Sequence, residues 1–214
     1  MEKKTKKPVV YAFIDSQNLN LGVRNDVVNE LGKTIYHGRV LNYRKFRHYL
    51  REKYGVSKAF VFIGMVPTNN ELYVSLQNCG FTLVFKTIAE YMDKDGNTIT
   101  KGNVDTDIVL YSVGKLYGEY DKAVFVSGDG DFLSLYQYID EKKKLLKILV
   151  PNRFRYSKLL SSYRHKMAFI ADIPNVLETK KTRSSGRISS LGQPSHGDVT
   201  SVAQTMKKVK KEKR

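Results

Sequence analysis

Five aspartates of this 214-residue chain stand where acidic chemistry would need them. Asp15 closes the apolar run Val9-Val10-Tyr11-Ala12-Phe13-Ile14. Asp129 and Asp131 follow the run Ala123-Val124-Phe125-Val126, inside Ser127-Gly128-Asp129-Gly130-Asp131-Phe132. Asp105 and Asp107 open a helical stretch after Lys101-Gly102-Asn103-Val104. Carboxylates gathered in one place raise the cost of ionising one another unless cations intervene. Hard oxygen donors with no His or Cys among them select Mg²⁺ or Mn²⁺ rather than zinc. Such a site orients a water, lowers its pKa and stabilises an in-line displacement at phosphorus. Gly128 and Gly130 permit the close backbone approach that a phosphate or metal site needs. Each aspartate taken alone also reads as a helix cap: Asp15 for the helix after it, Asp131 for 132–143, Asp105 or Asp107 for the helix they precede. Several of them at one edge of one sheet favour the metal reading.

The elements that must bring them together alternate. Short continuous β-favouring runs lie at 9–14, 59–64, 81–85, 123–126 and 146–150, as strands buried on both faces read. Helical spacing covers 41–54, 69–77, 106–117 and 131–143, a last helix is expected near 157–163, and an edge strand at 167–170. The Asp95-Gly96 pair predicts a small hairpin over 91–100. Its D-x-D-G-N string resembles part of a calcium loop but has Val104 where that loop needs a glutamate. The expected fold is α/β, a three-layer α/β/α Rossmann-like domain with a mainly parallel sheet of five or six strands. In the usual doubly wound order the first and fourth strands are neighbours, so Asp15, Asp129 and Asp131 converge at a carboxyl edge. The helix starting at Asp105 opens on that same side.

Composition narrows the classes. No stretch approaches the roughly 18 apolar residues of a membrane span, and the basic residues 1–7 precede an apolar run too short for a signal peptide. The expected location is cytoplasmic, with no membrane partner. The lone Cys79 excludes an intrachain disulfide and a multi-cysteine zinc site. The histidines (His37, His48, His165, His196) lie outside the acidic motifs, and no GxxxxGK[ST] string marks an NTPase. The formal net charge is +16. From Lys180 onward ten Lys/Arg face only Asp198 and Glu212, a net +8. The chain thus divides into a basic extension (1–7), a domain (8–178) and a basic tail (179–214) rich in Ser, Gly and Thr, expected to be disordered. Such charge attracts a polyanion without specifying which.

Three strings now carry a resemblance: Ile14-Asp15-Ser16-Gln17-Asn18, Lys101-Gly102-Asn103-Val104-Asp105 and Val126-Ser127-Gly128-Asp129-Gly130-Asp131-Phe132. Together they resemble the NYN domain in its bacterial LabA-like branch, within the PIN-like nucleases, over roughly residues 8–175. The resemblance implies Mg²⁺- or Mn²⁺-dependent hydrolysis of RNA phosphodiesters, with Asp15, Asp105, Asp129 and Asp131 as catalytic, metal-binding carboxylates. It further implies auxiliary roles for Asn18 and Ser127, and for Asp107 where relatives often carry an acid. Farther along that helix relatives frequently show another aspartate; this chain has Tyr111 or Ser112 there.

Substrate contacts are expected from Lys101, before the acidic helix, and from Arg153 and Arg155. The latter pair interleaves with Phe154 and Tyr156, offering charge and stacking surfaces to single-stranded RNA. Arg44, Lys45, Arg47 and Arg51 read as the wet face of their helix. The alternatives are a non-catalytic RNA-binding adaptor, a DNA or structure-specific nuclease with the same metal site, and a receiver-like phosphotransfer domain. The last is disfavoured because Asp105-Thr106-Asp107 does not follow an apolar strand. A homodimer is compatible with the sequence, as is a tail contacting either RNA or another protein.

Overall fold

The computed structural model describes residues 7–86, 89–92, 98–101 and 104–180, with the backbone alone for 89–92 and 98–101. In chain order these form β1 (Val10–Asp15), α1 (Ser16–Arg24), β2 (Val27–Val28), β3 (Thr34–Tyr36), β4 (Arg39–Leu41), α2 (Tyr43–Tyr54), β5 (Val56–Gly64), α3 (Asn70–Asn78) and β6 (Thr82–Lys86). There follow β7 (Ala89–Met92), β8 (Thr98–Lys101), α4 (Asp105–Leu110), β9 (Lys122–Val126), α5 (Leu133–Glu141), β10 (Leu145–Val150), β11 (Met167–Phe169) and β12 (Leu177–Thr179).

Six strands make the central sheet in the order β11-β10-β9-β1-β5-β6. Every pairing in it is parallel. The order reverses at β1: the chain first adds β5 and β6 on one side, then β9, β10 and β11 on the other. β1 and β9 are therefore neighbours, as the strand alternation predicted, and the crevice beyond their carboxyl ends is the switch point where such folds place ligands.

The period of two along β1 assigns its side chains to opposite layers. Tyr11 and Phe13 join the core shared with Val104 and Ile108 around α4 and with Leu135, Tyr136 and Ile139 of α5. Val10, Ala12 and Ile14 join the core beneath Leu19 and Val23 of α1, Phe46 and Leu50 of α2, and Leu76 of α3. Phe13 pairs in register with Phe60 and Phe125 and stacks on both, with ring centroids 5.9 and 5.3 Å away. Asp15 lies two residues beyond Phe13, so the same alternation turns it toward the α4–α5 layer.

Several expected elements differ in kind. The helix predicted over 106–117 is α-helical only to Leu110 and passes into a π-helical turn, Tyr111–Lys115. There the buried Ser112 hydroxyl donates back to the Ile108 carbonyl at 2.7 Å, and the Tyr120 hydroxyl donates to the Ser112 carbonyl at 2.6 Å. Side-chain competition for helix carbonyls of this sort loosens the ladder. The segment near 157–163 is 3₁₀ rather than α, spanning Lys158–Lys166. β7 and β8 form the antiparallel pair expected around Asp95-Gly96, whose turn lies outside the described residues. Three short pairing strands between α1 and α2 carry too few residues for a periodic signal. Of these, β4 pairs antiparallel with β12 and ties residue 179 back to the domain.

On α2, Arg47 is not simply part of a wet face: half-buried, its guanidinium donates to the carbonyls of Gly80, Val56 and Ser57 at 3.0, 3.2 and 2.9 Å, clamping the helix to the starts of β5 and β6.

Candidate active site

Beyond the end of β1, three aspartates from three separate segments line one cleft of about 240 Å³: Asp15, Asp105 and Asp129, together with Gln17, Asn18, Leu21 and Val104. Asp15 comes from the last residue of β1, Asp105 from the first turn of α4, and Asp129 from the loop after β9. This brings together acids that are 90 and 114 positions apart from Asp15 in the chain.

A hydrogen-bond lattice holds the two loops in place. Asp15 caps α1, accepting from the Asn18 N–H at 3.0 Å, and its other oxygen accepts from the Ser127 hydroxyl at 3.3 Å. The Asn18 side-chain oxygen in turn accepts from the Gly128 N–H at 2.9 Å, and the Ser127 hydroxyl accepts from the Asp129 N–H at 3.2 Å. Asn18 and Ser127 thus stitch the end of β1 to the loop after β9. Asp15 therefore serves as helix cap and as cleft wall at once.

Only 4% of Asp15 is exposed. Burial pushes its carboxyl up to about 6, and the Asp105 charge adds to the rise. The Asn18 N–H, the Ser127 hydroxyl and the Gln17 N–H hold it down, but less strongly. Deeper in the same layer, Tyr136 is fully buried, and its hydroxyl has no hydrogen-bond partner among the described residues. Burial raises this phenol well above its ordinary value, and the charges of Asp15, Asp129 and Asp105 raise it further. The sequence carries no signal for Tyr136, since its helical spacing reads as core.

The remaining expected site residues are placed differently. Asp131 is exposed and does not line the cleft; its N–H donates to Asp129 Oδ1 at 3.0 Å, so Asp129, not Asp131, caps this turn. Asp107 is paired with Lys86 at 3.3 Å and pins α4 to the end of β6. Arg153 is bonded to Asp172 and lies over the Phe169 ring. Arg155 is exposed, and its carbonyl packs near Gly128. Lys101 ends β8, and its side chain lies outside the described residues, as do Gly102 and Asn103. Ser112 is turned into its own helix and Tyr111 packs edge-on against Phe62, so neither adds an oxygen donor where relatives carry another acid.

The glycines flanking Asp129 have a steric reason. A Cβ at Gly130 would meet Ser157 Oγ at 2.3 Å, and one at Gly128 would stand 3.1 Å from Tyr156 Cβ and Val150 Cγ1. The loop after β10 lies directly on the loop after β9, with the Ser157 N–H donating to the Gly128 carbonyl at 2.9 Å.

In type, the donors suit a hard divalent cation: three carboxylates line the cleft, one of them buried at the cost of a raised pKa. Among the described residues, no group of three or more His, Cys, Asp or Glu is placed to hold a metal ion as it stands. Nor is any described helix long and apolar enough to cross a membrane.

Comparison with known proteins places the fold. The model of the NYN domain family matches residues 10–170. The match is to the family as a whole and does not distinguish its branches. A crystal structure of a protein of unknown function from Vibrio parahaemolyticus RIMD 2210633 superposes with a TM-score of 0.59 at 21% identity, covering 83% of this chain and 99% of that one, which shows a shared fold. No curated protein matches the chain significantly.

Proposed function

Because the chain belongs to the NYN domain family, which is nuclease-like, we propose that it hydrolyses RNA phosphodiester bonds at the Asp15–Asp105–Asp129 cleft with the help of Mg²⁺ or Mn²⁺. One observation supports this above the others. Three carboxylates from three distant segments line one cleft at the switch point of the sheet, and one of them is almost wholly buried. A merely structural set of caps has no reason to share a concavity.

In this reading Asp15, Asp105 and Asp129 hold the cation. A bound Mg²⁺ or Mn²⁺ would supply an activated water and offset the charge that builds on the phosphate. Asn18 and Ser127 are positioning residues, fixing the two loops so that the carboxylates need not reorganise. Asp131 orders the loop through its N–H and lies outside the cleft lining. Leu21 and Val104 supply an apolar wall that limits water. Arg155, exposed beside Gly128, with half-exposed Phe154 next to it, suits a phosphate and a base of a single strand entering over the rim. Arg153 and Asp107, committed to Asp172 and Lys86, contribute to shape more than to contact.

The adaptor reading draws on the absence, among the described residues, of a group placed to hold a metal ion as it stands. One experiment separates the two. Purified wild type and Asp129→Asn are incubated with labelled single-stranded RNA in Mn²⁺, in Mg²⁺ and in EDTA, beside a matched DNA strand. The nuclease reading expects metal-dependent RNA cleavage that falls at least about 100-fold in Asp129→Asn, in line with losing a metal-holding group. Equal activity of the variant would sink the site. RNA bound but never cleaved would transfer the chain to the adaptors, and preferential DNA cleavage would change the substrate class.

A further inference from the structure

The aspartate cleft is not the largest concavity among the described residues. A groove of about 770 Å³ runs along the outer side of α2, between that helix and the turn at 174–176. Arg44, Lys45, His48 and Lys53 line it, with Tyr49 and Pro174 among the less polar surfaces. Spacing alone predicts only a wet helix face here. Its concavity comes from the turn before β12. Asn175, at a left-handed φ of 67°, turns the backbone so that the Val176 carbonyl accepts from the Asn42 N–H at 2.8 Å at the head of α2.

The cations of this face do not all have the same task. Arg47 is committed to backbone carbonyls, Arg51 bonds Glu52, and Lys45 lies 3.9 Å from Glu178. Glu52, the one acid of the groove lining, is held by Arg51 and faces His48. Arg44 and Lys53 have no ion-pair partner among the described residues, so their charges are available to an incoming anion. The head of α2 stands near the start of α1: Tyr43, adjoining Arg44, lines a small internal cavity with Ser16, the residue after Asp15.

Charge decides between occupants. The chain leaves β12 beside Asn42 and Lys45, and beyond Lys180 it carries nine Lys/Arg against Asp198 and Glu212. That segment repels the groove rather than filling it, and a second copy of the same face would bring like charge. An anion with flat apolar surfaces suits a groove that sets two available cations beside an aromatic ring. We propose that the α2 groove is a second binding site for single-stranded RNA, which holds the strand after it has passed over the carboxyl edge from the cleft. The proposal rests on RNA being what the cleft acts on.

The test measures binding in EDTA, in an Asp129→Asn background, so that turnover plays no part. Fluorescence anisotropy follows a long and a short single-stranded RNA across a salt series, with and without Arg44→Gln/Lys53→Gln; thermal melts verify that the pair folds. Both side chains are exposed, so the fold should persist. The groove site expects roughly tenfold weaker binding of the long strand, and a log–log salt slope shallower by about 1.4, two phosphate contacts at about 0.7 each. The short strand should bind equally well to both. Unchanged long-strand affinity and slope would overturn the groove site, and so would polyglutamate that competes for the groove more strongly than RNA. The outcomes also separate from those of the cleft. A weakened long strand with no cleavage by wild type in Mn²⁺ removes the nuclease and keeps the groove. Intact cleavage with unchanged binding does the reverse.

Discussion

Asp15 is asked to be buried and, at neutral pH, to be charged. Its folded pKa of about 6 stands above its ordinary 3.8, so the unfolded chain gives up this proton first and ionisation costs the fold. The cost is absent below about pH 4, grows as pH rises toward 6 and is complete above it, reaching about 3 kcal/mol at most. Asp15→Asn removes the charge and keeps one acceptor for Asn18 or Ser127, losing one hydrogen bond of about 1 kcal/mol. The metal-free variant should therefore be about 1–2 kcal/mol more stable than wild type at pH 7, a rise in melting temperature of a few degrees. At pH 4 the advantage should vanish. Thermal melts in EDTA at the two pH values check this, and a variant less stable at pH 7 would show that Asp15 is a structural acid. Stability gained together with activity lost is the mark of a residue kept for function.

At the scale of elements, the site depends on two loops lying against each other. The loop after β9 can accept the loop after β10 only because Gly130 and Gly128 carry no side chain. Gly130→Ala places a methyl group 2.3 Å from Ser157 Oγ, with Ser157 Cβ at 2.8 Å, so the contact cannot be relieved by the hydroxyl alone. A loss of about 1–3 kcal/mol is expected, with cleavage reduced more than stability because Asp129 moves with the loop. Gly114→Ala is the control: its methyl group meets nothing nearer than Leu110 Cδ1 at 3.6 Å, and a change within about 1 kcal/mol in either direction is expected. Urea unfolding of the two variants, beside their cleavage rates, measures the contrast; equal behaviour would show that the loop contact does not hold the site. The π-helical turn after α4 belongs to this scale too. It is where the helix gives up a regular ladder to satisfy Ser112 and Tyr120, just beyond the segment that presents Asp105.

Across the whole molecule, charge is distributed unevenly. Of a formal net charge of +16, half lies from Lys180 onward, and the rest is divided between the first seven residues and the domain. Charge of that density attracts a polyanion without regard to its sequence. Removal of residues 180–214 should weaken RNA binding and flatten its salt dependence, while the metal requirement and the effect of Asp129→Asn remain. Comparison of the salt slopes of the two chains tests this; identical slopes would leave the tail with no part in RNA binding.

How far the sequence alone reached follows from the range of the interactions involved. Strands such as Ala123–Val126 and their alternation with helices were legible because hydrophobic patterning is local, and the adjacency of β1 and β9 followed from the rules of parallel sheets. The convergence of Asp15 with Asp129 was legible for the same reason: both stand at strand ends whose order is constrained. The short β2, β3, β4 and β12 were not, because two or three residues carry no period, and β4 moreover pairs with a strand near the end of the domain. Nor did spacing reveal that Asp107 reaches Lys86, that Arg153 reaches Asp172 or that Asp131 is exposed outside the cleft lining. An aspartate or arginine looks the same in sequence whether it faces a phosphate, a lysine or water, and the partner is chosen only when the layers pack. The sequence by itself determined the α/β architecture and the acids that could meet. Tertiary structure alone decided which three line the cleft, that Tyr136 is buried without a hydrogen-bond partner among the described residues, and that the turn at Asn175 makes a groove of α2, since each depends on contacts between residues tens of positions apart.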